Sequence, residues 1–221
     1  AGAMQGGYGA AFAEPYAAAI AEYIRTMERT GDFAASRHNL GNLYADLQQP
    51  DKAIDQYRRA IAIDSLFYPA KVNLAMLYNT RGDKDQAERL LREVVAAYPD
   101  LYEIKYSLGL LLAEKNALKQ AVVYLADAAA GLPQRSRIQY NLALLLKALN
   151  RNPEAEQALK QALAAAPDNP DYLYALAVLY LEWNRPEEAL QAAKRLTRAH
   201  PGLAAGRDLV RYIQQTGAAD R

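Results

Sequence analysis

SRIQYNLALLLKALNRNPEAEQALKQALAAAPDN, residues 136–169, holds two amphipathic patterns separated by one turn signal. Its apolar positions recur at three- and four-residue spacing, the 3.6-residue period of a helix. Asn150 ends the first pattern, since asparagine tolerates the left-handed conformation that follows many helices. Pro153 suits the opening turn of the second pattern, and Pro167 stops it. The same 34-residue unit recurs outward in both directions. Leu40, Leu74, Leu108, Leu142 and Leu176 stand 34 residues apart, each followed by a small residue: Gly41, Ala75, Gly109, Ala143 and Ala177. Tyr44, Tyr78, Leu112, Leu146 and Tyr180 come four residues after the leucines, and Ala53, Ala87, Ala121, Ala155 and Ala189 come thirteen after. Leucine makes up about a tenth of an average chain, so five in register have a chance probability on the order of one in 10⁵. Small residues let two helix axes approach closely, and the large ones fill the space between. The turn after each first helix falls on Gly82, Asn116, Asn150 or Asn184, with Gln48 a poorer fit in the first unit.

This pattern resembles the tetratricopeptide repeat family, whose unit carries W-x₂-L-G-x₂-Y…A-x₃-F…P. The tryptophan position departs from the family, holding Arg37, Lys71, Lys105, Gln139 and Leu173. The resemblance implies an all-α fold, a right-handed superhelical solenoid of antiparallel helix pairs. Five complete repeats are expected at 34–67, 68–101, 102–135, 136–169 and 170–203. Residues 11–33 are expected to form a half repeat, with Ala19 and Tyr23 in second-helix positions. Residues 204–221 are expected to form a capping helix and tail, because Arg211 replaces the small residue that a packed partner needs. Residues 1–10 read as a flexible leader or tag, and the half repeat's missing first helix points to a longer parent protein.

Composition narrows the function. Lys plus Arg is 26 and Asp plus Glu is 25, a balance that argues against nucleic-acid binding by a basic field. With no cysteine, thiolate metal sites, a cysteine nucleophile and haem attachment within the chain are excluded. Two histidines, His38 and His200, do not make a metal site. No apolar run reaches the ~18 residues that span a bilayer, so membrane insertion is not expected. No phosphate loop or nucleophile elbow is present. The expectation is a non-catalytic module with no cofactor and no metal.

The resemblance places the concave face on the first helices. Its positions fall on His38, Val72, Tyr106, Tyr140 and Tyr174, then Asn39, Asn73, Ser107, Asn141 and Ala175, then Asn42, Met76, Leu110, Leu144 and Val178. Asn39, Asn73 and Asn141 would form a partial ladder of amides, each offering a donor and an acceptor to a peptide backbone. Asn42 joins them, and Tyr106, Tyr140 and Tyr174 add rigid amphipathic contact surface. The competing reading is that these amides and phenols only bridge neighbouring helices. A carboxylate clamp of the kind some family members carry is argued against, because Glu103 stands where a cation would be needed. The expected partner is therefore a protein or an extended peptide. A homo-oligomer is an alternative if Met76, Leu110 and Val178 meet a second copy. Residues 37–64 and 68–99 also resemble the repeat region that follows multihaem cytochrome domains in some bacterial proteins. That resemblance would imply a periplasmic context and haem-attachment motifs upstream; otherwise the compartment, cytoplasmic or periplasmic, stays open.

Overall fold

A computed structural model describes the backbone of residues 7–219 and the side chains of residues 15–215. Most of the leader read at residues 1–10 lies outside them. The described residues form twelve helices and no strand. The first helices of the five repeats are α2 (Ala34–Asp46), α4 (Tyr68–Thr80), α6 (Tyr102–Glu114), α8 (Ser136–Ala148) and α10 (Pro170–Glu182), each beginning 34 residues after the last. The second helices are α3 (Pro50–Ile63), α5 (Lys84–Ala97), α7 (Leu118–Gly131), α9 (Asn152–Ala165) and α11 (Pro186–Ala199). Helix α1 (Gly7–Arg29) precedes them and α12 (Ala204–Ala219) follows. Each first helix packs against its own second helix as an antiparallel pair, the architecture the 34-residue register predicts. The chain divides into two compact units, Ala1–Ala97 and Tyr98–Arg221.

The turns repeat one solution. Gln48, Asn116, Asn150 and Asn184 take φ of 57°, 60°, 57° and 56°, and Gly82 takes 84°. The next residue's N–H then reaches back to a first-helix carbonyl: Gln49 to Tyr44, Asp83 to Tyr78, Ala117 to Leu112, Arg151 to Leu146 and Arg185 to Tyr180, at 2.8–2.9 Å. This is the Schellman closure, which satisfies an orphan helix-end carbonyl. Gln48 adopts the same backbone without the ease of glycine or asparagine. α5, α7, α9 and α11 each stop two residues before a proline. α3 has none there, and Asp64 accepts instead from the Leu66 N–H at 2.9 Å, an Asx turn that ends the helix by other means.

In unit 1, Leu40, Ala53, Tyr57 and Ala60 are buried between α2 and α3, and Leu74, Ala87 and Leu91 between α4 and α5. Ala19 and Tyr23 of α1 are exposed, unlike their register equivalents Ala53 and Tyr57, because no described first helix covers α1. In unit 2, Leu108, Leu112, Leu125, Ile138, Leu173, Leu179 and Leu196 are almost wholly buried. Gly109 shows why the small column exists: a Cβ there would overlap Leu125 Cδ1. At the far end Ile213 is buried, while Arg211 stands in solvent beside Asp208 at 3.5 Å.

One polar cluster ties α9, α10 and α11 together. Glu156 accepts from the Tyr180 hydroxyl at 2.7 Å and from Arg185 at 2.8 Å, and Lys160 lies 2.7 Å away. The Arg185 guanidinium also covers the Tyr180 and Trp183 rings. Burial pushes the Glu156 carboxyl up, but hydrogen bonds from Lys160, Tyr180 and Arg185 outweigh it and hold the group down at about 2, from the usual 4.5. A carboxyl depressed by folding contributes stability above its unfolded value and loses it as pH falls toward the folded one. Unit 2 should therefore lose on the order of 2 kcal/mol from this group between pH 5 and pH 2. In thermal melts, Glu156→Gln should be less stable than the wild type at pH 7, and the gap should narrow on acidification. A gap independent of pH would contradict this assignment.

Candidate first-helix binding faces

The face of unit 1 is a closed polar network. Asn73 Nδ2 donates to Asn42 Oδ1 at 2.8 Å and to His38 Nε2 at 3.0 Å, and the Tyr57 hydroxyl donates to the same Asn42 oxygen at 2.8 Å. The rings of Tyr57 and Phe67 flank the imidazole at 5.7 and 5.5 Å. Asn42 and Asn73 thus meet each other across α2 and α4, and Asn39 stands exposed beside them. Asn39 and Asn42 also line a cleft of about 350 Å³ with Tyr16, Ile20 and Tyr23 of α1. Met76 projects from α4 and is 64% exposed.

His38 must be neutral to accept from Asn73. Burial lowers its pKa below the usual 6.5, with a hydrogen bond to Asn39 opposing. The unfolded chain then takes up the proton first, so unit 1 should lose stability as pH drops through about 6.5 and level off once the folded imidazole is protonated. His38→Gln should remove that part of the dependence between pH 7.5 and 5.5 in thermal melts. His200 is the other histidine, and it contacts the Asp168 carbonyl. An unchanged pH dependence in the variant would refute the role given to His38.

The face of unit 2 is different in kind. Tyr106 and Tyr140 are half-buried, while Tyr174 is 44% and Leu144 40% exposed. Leu110 and Val178 lie partly open in the same register row as Leu144. Asn141 Nδ2 donates to the Tyr106 hydroxyl at 2.7 Å, joining α8 to α6, and the Tyr140 ring lies 4.9 Å from Tyr172 of α10. The Tyr140 phenol is pushed up by burial and by Asp171, against Arg137, so it stays protonated and able to donate at neutral pH. Of the other charges nearby, Arg135 pairs with Glu103 at 2.6 Å and Lys147 with Glu182 at 2.8 Å. The result is an apolar and aromatic strip with neutral hydrogen-bonding groups, held on three rigid helices.

The predicted tyrosines therefore gather in unit 2 with Asn141, whereas Asn39, Asn42 and Asn73 gather in unit 1. Leu144 shares its register row with Leu110 and Val178, and its exposure depends on packing that a single sequence does not display. Among the described residues no helix is long and apolar enough to cross a membrane.

Residues 72–136 and 140–204 match one family profile described as tetratricopeptide repeat, and residues 34–65 match a second of the same description. Among solved structures, YrrB, described as a tetratricopeptide-repeat protein with an unusual peptide-binding site, aligns with a TM-score of 0.73 and 19% identity. That alignment covers 84% of this chain and 96% of YrrB. A MamA crystal structure aligns with a TM-score of 0.71 and 18% identity, over 76% of this chain and 92% of its own. MamA residues 41 to the end from Desulfovibrio magneticus RS-1 align with a TM-score of 0.69 and 16% identity, over 76% and 95%. Curated protein sequences yield no match. These likenesses concern the repeats and do not touch the expectation of an upstream haem domain.

Proposed function

Because the chain belongs to the tetratricopeptide repeat family, we propose that it is a non-catalytic protein-interaction module whose first-helix face in unit 2 receives an uncharged segment of a protein partner. The observation that carries this reading is the uncovered strip of Tyr174 and Leu144, continued by Tyr140, Leu110 and Val178, beside the Arg135–Glu103 and Lys147–Glu182 ion pairs. Such a strip favours aliphatic and aromatic side chains over charged ones. Asn141, oriented by Tyr106, leaves its Oδ1 for a backbone N–H of an extended peptide. The similarity to YrrB, with its described peptide-binding site, supports a peptide as the ligand class. In unit 1, the exposed Asn39, which bonds His38, would offer a second polar contact beside the Asn42–Asn73 pair.

Selection of random peptides displayed on phage tests the reading. Peptides retained by the wild type should carry aromatic or aliphatic anchors and should be lost on Leu144→Lys/Tyr174→Ala. Recovery of acidic or basic consensus peptides that bind both proteins equally would refute it.

A further inference from the structure

Two repeats close the space between their helices with one ion pair at the same register. Lys71 meets Glu93 at 2.7 Å, and Lys105 meets Asp127 at 2.5 Å. In the next repeat those positions hold Gln139 and Gln161. No ion pair can form there, and the two amides do not bond each other. Gln139 is only 8% exposed, yet its Oε1 has no hydrogen-bond partner among the described residues. Above it opens a cleft of about 600 Å³, walled by Ala126 and Ala129 of α7 and by Ala164 and Ala165 of α9, with Gln161 also lining it. None of its lining residues carries a charge.

We infer that this cleft is a second recognition site, which takes the side-chain carboxamide of an asparagine or glutamine on an α-helix of a protein partner. A buried acceptor without a partner in the protein is rare and costly, and a ligand donor would satisfy it. A carboxamide supplies the donor and an acceptor together, matching the amide it meets. The soft terminal torsion of Gln139 lets its amide turn toward the trough without backbone movement. A carboxylate or ammonium would enter with no counter-charge on the walls, which the cost of burying an unpaired charge forbids. Alanines on two adjacent second helices allow a third helix to approach closely, as the small residues do inside the repeats. The site lies between second helices and does not depend on the first-helix face.

The probe is a side-chain-stapled, alanine-rich helical peptide with one central glutamine, compared with the same peptide carrying leucine or glutamate there. Nitrogen-edited NMR of the full chain should show shifts confined to α7, α8 and α9 with the glutamine peptide, and binding at least about tenfold weaker for the other two. Gln139→Lys/Gln161→Glu rebuilds the clasp of the preceding repeats, and should keep the wild-type circular dichroism while weakening binding of the glutamine peptide more than about tenfold. Gln139→Leu places at this register the residue that Leu173 already provides in the next repeat, and should erase the preference for glutamine over leucine. Equal binding of the three peptides to the wild type, no shifts at the cleft, or undiminished binding by the clasp variant would overturn the proposal.

Discussion

Leu125→Ala is expected to destabilise unit 2 by about 3–5 kcal/mol, the upper part of the range for a buried leucine. Leu125 is fully buried and lies directly over Gly109, which has no side chain to relax into the gap. The same geometry predicts a sign change for a second substitution. Gly109→Ala alone should destabilise by about 1–3 kcal/mol, because the new methyl overlaps Leu125, although alanine is the better helix former. In the Leu125→Ala background the methyl fills the cavity, and Gly109→Ala should become neutral or stabilising. Urea unfolding of the four proteins gives the coupling energy directly. Hydrogen exchange should localise the loss to α6, α7 and the helices that touch them, because a repeat array transmits through neighbours. Additive effects would mean that the small column is not set by the helix contact.

The second large effect concerns binding. Leu144→Lys should weaken a peptide selected on the unit 2 face by more than about tenfold, or 1.4 kcal/mol, and Tyr174→Ala by a similar factor. A lysine at 144 would have to bury its ammonium under the peptide, and Glu182 already holds Lys147. Both side chains are about 40% exposed in the free protein, so the melting temperature should barely move. Isothermal titration with the peptide, alongside melts of each variant, separates lost contacts from lost folding. A binding loss that tracks a fall in melting temperature would contradict the assignment.

The repeat register was readable because each column answers one local demand. The leucine fills the pair, the glycine or alanine admits its neighbour, and asparagine or glycine turns the chain at positive φ. Gln48 shows the limit of reading a turn from residue type: the backbone geometry persists where the side chain does not favour it, because the surrounding Schellman bonds impose it. The binding face was legible only as a set of positions. That Asn42 and Asn73 bond each other while Tyr174 and Leu144 stand open depends on side-chain directions set by packing, which the spacing alone does not give. The α7–α9 cleft did leave a trace in the sequence. Lys71 and Lys105 each face an acid 22 residues on, and Gln139 faces Gln161. Comparing those two columns together, rather than the tryptophan position alone, exposes the change. Glu156 was hidden for a different reason, since its partners Tyr180 and Arg185 come from the following repeat.

Photo-crosslinking tests the central claim most directly. A benzophenone amino acid placed at Leu144 should capture a selected peptide, and the same group at Val123, an exposed apolar position on α7, should not. Crosslinks from position 144 alone, mapped by mass spectrometry to the peptide's apolar anchor, are the predicted result. Equal capture from both positions, or capture from Val123 alone, would contradict a binding site on the first-helix face of unit 2.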